Sequence, residues 1–396
     1  MGVQKYGFSI DYKNPPSHFN PNAALLVFIL DWQSDYNVEI VAFAPTLERW
    51  YERHKRDLPW RHTRDPYRIW LSEIILQQTR VAQGLPYYQR FVDTYPTVAD
   101  MAGADERDVL RLWQGLGYYS RARNLHQTAK QVATTLSGRF PASYRELLML
   151  KGIGTYTAAA IASFAFGERV PVVDGNVYRV LARVFGITED VTTTSAKKTF
   201  AQLAVTLMAH AHDPATYNQS IMDFGAIQCT LVSPDCLLCP VQSQCVAFQT
   251  GRQHKLPVKA KKAAVRERYF VYLIFQQRDS TNTLKLALRE RTSKDIWQNL
   301  YDFYLIETDE PKSAFRDVTL PEAVQGMVAS GRVDELPTTG QQLLSHQRIK
   351  ASFYLIDLPT GSSAVLPPGL NWYSADEISR LPKPVLITTY FRSRFG

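Results

Sequence analysis

The stretch LKGIGTYTA, residues 150–158, joins two segments with helical periodicity. Gly152 and Gly154 permit a tight turn, which leaves backbone N–H groups exposed at the start of the second helix. Such groups form a cradle for anions, and a DNA phosphate fits it. Two glycines are a weak signal alone, because any helical hairpin can use them. The segments that follow and precede the hairpin add the chemistry.

An aspartate follows the hairpin, twenty residues after Gly154, in the stretch VDGNV, residues 173–177. Asp174 opens a further helix, where the ordinary role of an aspartate is to cap the N-terminus. A capping position also presents a carboxylate at a defined place. We therefore predict both a cap and a functional carboxylate at Asp174.

A second carboxylate, Glu73, lies in the stretch WLSEIILQQT, residues 70–79. Its neighbours are largely apolar, and burial among them raises the pKa of a carboxyl group, as a general acid requires near neutral pH. An exposed glutamate on an amphipathic helix is the alternative that this helix alone favours.

The four cysteines of the chain are Cys229, Cys236, Cys239 and Cys245, and all lie within seventeen residues. A clustered set favours a metal site over a disulfide scaffold. Four thiolates suit zinc or an iron–sulfur cluster. One short pair flanked by two wider steps differs from the two short pairs that are typical of zinc sites.

The composition is ordinary for a soluble protein, and its charge balance is basic. The chain has 396 residues, 45% of them hydrophobic and 21% charged, and its net charge is +8. A basic balance suits nucleic acid, and also an ordinary basic protein. The apolar run over residues 23–30 is too short to span a membrane, so we expect a cytoplasmic protein that does not bind membranes.

The periodicity divides the chain into four parts. Residues 1–41 have turn signals without periodicity and are expected to be a poorly ordered extension. Residues 42–250 are predicted to be all-α, and residues 251–268 are a basic linker. Residues 269–396 contain strand-like runs and are predicted to form an α+β domain.

The combination of these motifs resembles the helix–hairpin–helix DNA glycosylases, and within them the MutY family of adenine DNA glycosylases. The string S-E-x-x-L-Q-Q-T over residues 72–79 is close to the MutY signature, and the cysteine spacing resembles the [4Fe–4S] loop of the MutY and endonuclease III families. The strings over residues 58–61, 115–119 and 121–126 also resemble this family. The resemblance is dense from residue 45 to residue 245.

The resemblance implies an all-α helix–hairpin–helix glycosylase domain with an iron–sulfur loop, followed by an α+β Nudix-like C-terminal domain. It implies a monofunctional base-excision repair enzyme that removes adenine mispaired with 8-oxoguanine or guanine and leaves an abasic site. The implied partner is duplex DNA, bound by a monomer in the cytoplasm, at the nucleoid if the source is bacterial. The implied cofactor is a structural [4Fe–4S] cluster held by the four cysteines.

By the same resemblance, Glu73 protonates adenine and Asp174 stabilises positive charge at the sugar C1′. Tyr156 and Asn176 support this pair of carboxylates. The chemistry follows the two-carboxylate logic of glycoside hydrolysis.

The implied DNA contacts fall into four groups. Gly152 and Gly154 of the hairpin bind a phosphate. A further set contacts bases and comprises Arg61 and Gln219 near the extruded adenine, Gln78 and Tyr118 as wedges beside 8-oxoguanine, and Ser345 and His346 in the C-terminal domain. Leu344 stands where the family's Phe-Ser-His motif has Phe, and Tyr304 stands where Pro is common.

Three alternatives remain at this stage. A bifunctional glycosylase with lyase activity uses a lysine two residues after the second hairpin glycine, where this chain has Tyr156. An iron–sulfur DNA-binding protein without catalysis would not need both Glu73 and Asp174. A Nudix hydrolase needs a carboxylate box that is absent from the sequence.

Overall fold

The protein is described by a computed structural model that covers residues 39–260, 265–344, 346–362 and 365–395. Residues 1–38 of the extension that was expected to be poorly ordered, residues 1–41, lie outside the described residues. The domain boundaries predicted from the sequence stay a prediction.

The described residues form helices in the first two thirds of the chain and a sheet with further helices in the last third. The helices are α1 (Ile40–His54), α2 (Pro66–Leu76), α3 (Val81–Thr94), α4 (Val98–Gly103), α5 (Glu106–Trp113), α6 (Ser120–Thr135), α7 (Tyr144–Leu147), α8 (Thr155–Phe166), α9 (Gly175–Val184), α10 (Thr194–Met208), α11 (Pro214–Asp223), α12 (Val246–Gln249), α13 (Glu322–Ser330), α14 (Ala375–Arg380) and α15 (Val385–Phe395). The strands are β1 (Arg266–Arg278), β2 (Leu284–Glu290), β3 (Tyr301–Asp302), β4 (Tyr304–Thr308), β5 (Arg332–Val333), β6 (Thr338–Leu343), β7 (Gln347–Asp357) and β8 (Leu370–Ser374). The prediction of an all-α part followed by an α+β part is confirmed.

The chain divides into two compact units. Of the described residues, the first unit holds 39–56 and 171–259, and the second unit holds 57–170 and those from 260 onward. The first unit is discontinuous in sequence, because α1 packs with α10 and α11.

In the first unit, buried charges are matched by partners from distant parts of the chain. Glu48 of α1 is buried, and its Oε1 accepts the backbone N–H groups of His212 and Asp213 at 3.1 and 3.2 Å. Arg56 reaches Asp223 at the end of α11 with a nitrogen–oxygen distance of 2.6 Å. A buried carboxylate without such partners would be strongly destabilising, so these contacts hold α1 in place.

In the second unit, helices α2 to α8 enclose an apolar core that includes Trp70, Phe91 and Trp113. Pro66 occupies the first turn of α2, and the Asp65 side chain accepts the Tyr67 backbone N–H at 2.9 Å as the N-cap. Proline and aspartate are the residues that favour a helix start. These signals define where the helix that carries Glu73 begins.

The sheet of the second unit has the strand order β3-β2-β1-β7-β5, with β4 added to β1, β6 to β7 and β8 to β2. Its centre is the parallel pair of β1 and β7, which runs from Arg266 opposite Gln347 to Gln276 opposite Asp357. Residues 270–275 of β1 are all buried. Both faces of this strand are therefore covered, which explains its continuous apolar run.

Side-chain hydrogen bonds join the helices of the second unit to its sheet domain. The Gln114 side chain accepts the Lys383 backbone N–H at 3.0 Å and donates to Thr388 Oγ1 at 3.0 Å. The Tyr119 hydroxyl donates to the Lys383 carbonyl at 3.2 Å. These bonds attach the loop after α5 to the segment that opens α15.

None of the helices in the described ranges is both long and apolar enough to cross a membrane.

Replacing Gly152 by Ala should destabilise the hairpin. Gly152 has a φ of +75°, and an added Cβ would lie 2.8 Å from the Asn124 Cβ. Gly138→Ala is the matched control, because Gly138 has a φ of +78° and nothing within 4 Å of an added Cβ. Since both variants carry the backbone strain, the contact should cost Gly152→Ala about 1–3 kcal/mol more in chemical denaturation. Equal losses in the two variants would contradict this.

Candidate active site

Glu73 faces the interior of the second unit. It lies in α2 with 7% of its surface exposed, among buried Leu71, Ile74 and Ile75. The Tyr156 hydroxyl donates to Glu73 Oε2 at 2.7 Å. The exposed-glutamate alternative is therefore wrong, and a buried carboxylate and a phenol from separate helices form a pair.

The hairpin places Tyr156 at the second position of α8. Gly152 takes the left-handed conformation that the close approach to Asn124 requires, and Gly154 is the extended N-cap residue of α8. Gly154 offers no side-chain cap to the first turn of α8. The positive end of this helix therefore has the backbone donors that suit an anion.

Asp174 is the N-cap of α9, as predicted. Its Oδ1 accepts the backbone N–H groups of Asn176 and Val177, each at 2.8 Å, and its Oδ2 accepts Asn176 Nδ2 at 2.9 Å. Enclosure by the protein raises the pKa of the Asp174 carboxyl, although these hydrogen bonds act in the opposite direction. The carboxylate is thus held rigidly at a cost in solvation.

Asn176 is held in turn by Arg179, a residue that the sequence interpretation missed. Arg179 Nη2 donates to Asn176 Oδ1 at 2.8 Å, and Nε donates to the Cys229 carbonyl at 2.8 Å. Residues 224–228, after α11, form a π-helical turn in which an added Cβ on Gly225 would lie 2.6 Å from the Asn176 Cβ. Backbone and arginine together fix the amide beside Asp174.

The two residues predicted to contact the extruded adenine, Gln219 and Arg61, lie in helical segments of different units. Gln219 lies in α11 of the first unit, where its Oε1 accepts the Tyr51 hydroxyl at 2.6 Å. Arg61 ends a short 3₁₀ turn over Pro59–Arg61 in the second unit, next to buried Trp60. Gln219 is therefore oriented by a partner on α1.

The two predicted wedge residues share an uncommon backbone conformation. Gln78 follows α2 with a φ of 56°, and Tyr118 follows α5 with a φ of 48°. Both side chains are exposed, Tyr118 by 42%. The neighbouring Tyr119 is 4% exposed and packs in the core, so the two adjacent tyrosines differ in environment.

The cysteine loop is organised by Arg183, which is buried in α9 and was not recognised from the sequence. Arg183 Nη1 donates to the Thr230 carbonyl at 2.7 Å and lies 3.4 Å from Cys229 Sγ. Its Nη2 donates to the Leu231 carbonyl at 3.2 Å, and its Nε to the Leu256 carbonyl at 3.1 Å. Arg183 lies among apolar residues of α9, and this pattern in the sequence could have indicated a buried arginine with specific partners.

Cys229, Cys239 and Cys245 pack against the core of the first unit. Burial is the main cause that raises the pKa of Cys239 to about 12 and that of Cys245 to about 11, and nearby cysteines act in the same direction. As placed, no group of three or more His, Cys, Asp or Glu side chains among the described residues is arranged to hold a metal ion. The donor chemistry suits a thiolate-ligated group, and the ligand geometry is not formed.

The predicted lesion contacts lie between β6 and β7. His346 is exposed, and its backbone carbonyl accepts the Arg266 N–H at 3.1 Å. Ser345 lies outside the described residues. Leu344 donates its N–H to the Gln347 carbonyl at 2.8 Å, and Tyr304 packs in β4 under Arg289, whose guanidinium carbon is 5.4 Å from the ring centroid.

The chain is similar to known repair proteins. The family model described as "HhH-GPD superfamily base excision DNA repair protein" matches residues 71–205, which include Glu73, the hairpin and Asp174. The adenine DNA glycosylase of Mus musculus is 32% identical over 403 residues, which cover 89% of this chain and 78% of that protein. The human protein of that name is 31% identical, with 89% and 74% covered, and that of Buchnera aphidicola (Schizaphis graminum) is 35% identical, with 68% and 76% covered.

Asp174→Asn should gain stability relative to the wild type as the pH rises from 4 to 7. Asn caps a helix about as well as Asp and carries no charge to enclose, although its amide NH2 cannot accept the hydrogen bond from Asn176 Nδ2. Because the folded-state pKa of Asp174 is raised, protonation stabilises the wild type, so the variant's advantage should shrink as the pH falls through that pKa toward the unfolded value of about 3.9.

Thermal melting between pH 7 and pH 4 measures this difference. Asp213→Asn, at the N-cap of α11 in the same unit, measures the change of capping residue alone. A constant loss of stability in Asp174→Asn at every pH would contradict the expectation.

Proposed function

Because the chain belongs to the adenine DNA glycosylases of the HhH-GPD superfamily, we propose that it removes adenine mispaired with 8-oxoguanine or guanine and leaves an intact abasic strand. As a member of this family, it is a DNA N-glycosylase of base-excision repair. The observation that carries the proposal is the buried Glu73 carboxylate that accepts the Tyr156 hydroxyl at 2.7 Å.

Glu73 is the proposed general acid. Its carboxyl transfers a proton to N7 of the extruded adenine, and the C1′–N9 bond breaks with the electron pair leaving on the base. The Glu73 carboxylate then takes a proton from the water that adds to C1′. An apolar surrounding favours the protonated carboxyl that the first step needs, and Tyr156 fixes its orientation.

Asp174 is the proposed counter-charge for the sugar. As C1′ gains oxocarbenium character, a negative group held at a fixed place lowers its energy without reorganisation. The hydrogen bonds from Asn176 and Val177 hold the Asp174 carboxylate in one orientation. Asn176 acts through Asp174 and is a positioning residue in this proposal.

The adenine must leave the base stack before either carboxylate can act. We assign the exposed Gln78 and Tyr118 to the space vacated beside 8-oxoguanine, and Ser345 and His346 to recognition of that base. Gly152 and Gly154 present the N-terminus of α8 to a phosphate. Arg61 and Gln219 are assigned to the extruded adenine.

Hydrolysis without strand cleavage follows from Tyr156. A lyase forms an imine between a lysine and C1′, and the strand then breaks by elimination. Tyr156 occupies the hairpin position of that lysine, and a phenol forms no imine. The product is therefore an abasic site.

The four cysteines are the proposed ligands of a [4Fe–4S] cluster. Thiolates are the ligands that such clusters use, and all four cysteines lie within seventeen residues of the chain. The bound cluster would hold the loop in one shape, a structural role. The net charge of +8 suits the proposed partner, a DNA duplex bound by a monomer in the cytoplasm.

The protein should release adenine from duplexes that carry A opposite 8-oxoguanine or G, and not from A opposite T. Strand breaks should appear only after alkali treatment, because the abasic product is left intact. The measurement is a single-turnover time course on duplexes with A opposite 8-oxoguanine, G, C or T, each split into samples with and without alkali. Breaks without alkali that keep pace with adenine release would make the enzyme a lyase.

Glu73→Gln is the control for this assay. Glutamine keeps the shape of the side chain and its acceptor for Tyr156, and it has no carboxyl proton to transfer. Excision should fall by about a hundredfold or more while duplex binding persists. Near-normal excision by this variant would remove Glu73 from its proposed role.

The purified protein should contain about four irons per chain and be yellow-brown. Cys239→Ser should lose iron, because an alcohol replaces one of the four thiolates. Metal analysis of freshly isolated protein and the visible absorption spectrum measure this. Stoichiometric zinc without iron would overturn the proposed cofactor.

A further inference from the structure

Arg121, in the first turn of α6, makes an unusual set of hydrogen bonds at the end of α2. Its Nη1 donates to the carbonyls of Ile74, Ile75 and Gln77 at 2.8, 3.1 and 2.7 Å. The last carbonyls of a helix have no partner within the helix. Arg121 supplies that partner from a segment more than forty residues away in sequence.

The same guanidinium binds the loop after α5. Its Nη2 donates to the carbonyls of Leu116 and Gly117 at 3.4 and 3.3 Å. Its central carbon lies 5.0 Å from the Trp113 ring and 5.6 Å from the Tyr118 ring. One side chain therefore contacts both the loop that carries Gln78 and the loop that carries Tyr118.

Two of the bound carbonyls immediately precede the residues with positive φ. The Gln77 carbonyl belongs to the peptide that precedes Gln78, and the Gly117 carbonyl belongs to the peptide that precedes Tyr118. The orientation of that peptide sets φ of the following residue, which is 56° for Gln78 and 48° for Tyr118. A left-handed conformation is unfavourable for a residue with a side chain and persists only where its surroundings enforce it.

We propose that Arg121 is a positioning residue that holds Gln78 and Tyr118 together in the conformation needed to enter the duplex beside the lesion. The assignment rests on the proposed function for the duplex. We call the hydrogen bonds from Arg121 to the loops that carry Gln78 and Tyr118 the Arg121 clamp. The clamp is a property of the folded chain without DNA.

The chemistry favours arginine in this role. A guanidinium offers five donors in a planar fork, whereas a lysine ammonium offers three donors at one point. Burial lowers the pKa of Arg121 to about 10, and the group is still charged at pH 7. Charged donors form stronger hydrogen bonds to carbonyls than neutral donors do.

The first test measures the clamp by amide hydrogen exchange in the protein without DNA. Arg121→Lys keeps the charge and the aliphatic stem and cannot reach both loops with a planar fork. Exchange should become faster over residues 77–80 and 116–119 at the same time. Faster exchange in only one loop, or in neither, would overturn the proposal.

Arg123→Lys is the matched control. Arg123 lies two residues further along α6 and is half-buried. Like Arg121, it donates to a backbone carbonyl, here that of Gln298 at 2.8 Å. It should leave exchange in both loops unchanged. Equal effects of the two substitutions would mean that the loops respond to any loss of stability in α6, which would also overturn the proposal.

The second test asks whether the clamp serves base extrusion. Arg121→Met removes the donors, and it should reduce the fluorescence signal of 2-aminopurine placed beside the target adenine and lower single-turnover excision by about tenfold or more, as misplacement by about 1 Å does. In a Tyr118→Ala background the same substitution should have a smaller effect. Additive effects would show that Arg121 does not act through Tyr118.

The two proposals fail differently. If the wild type excises adenine from no duplex, the proposed function is wrong, and the exchange experiment still decides whether the clamp exists. If Arg121→Met does not fold, Arg121→Lys carries both tests, with its melting temperature measured against that of Arg123→Lys.

Discussion

A carboxylate in an apolar core is tolerable only when a donor reaches it, and the Tyr156 hydroxyl reaches Glu73 across the interface of α2 and α8. The hairpin that precedes α8 positions Tyr156 for this contact. Gly152 lets the hairpin approach Asn124, so that α8 begins where its second residue faces α2. A displaced hairpin would leave Glu73 buried without its phenol.

Irregular backbone in each unit is held by arginine side chains. Arg121 binds carbonyls of two loops in the second unit. In the first unit, Arg179 binds the Cys229 carbonyl beside the π-helical turn, and Arg183 binds four carbonyls at and after Cys229. Loops lack the internal hydrogen bonds of helices and strands, so their carbonyls need donors from outside. One guanidinium can supply several, which suits segments that must keep one shape.

The candidate carboxylates could be predicted because each stands in a local motif. Asp174 opens a helix and caps it, as a short stretch of sequence indicates, and the apolar neighbours of Glu73 indicate burial. The strand-like runs after residue 268 predicted a sheet. Short strands such as β5 depend on pairing with a neighbour more than on their own residues. The Tyr-Tyr pair could not be divided, since only packing buries Tyr119 and exposes Tyr118.

The sequence by itself determined the order of helical and sheet parts, the helix starts, the turn at Gly152 and the residue types available for chemistry, because these depend on neighbours within a few positions. Only the tertiary structure decided which distant groups meet. Tyr156 and Glu73 are 83 positions apart, and Arg121 and Gln77 are 44 apart. Such pairs are selected by the packing of whole helices, a balance of burial and hydrogen bonding that no local pattern contains.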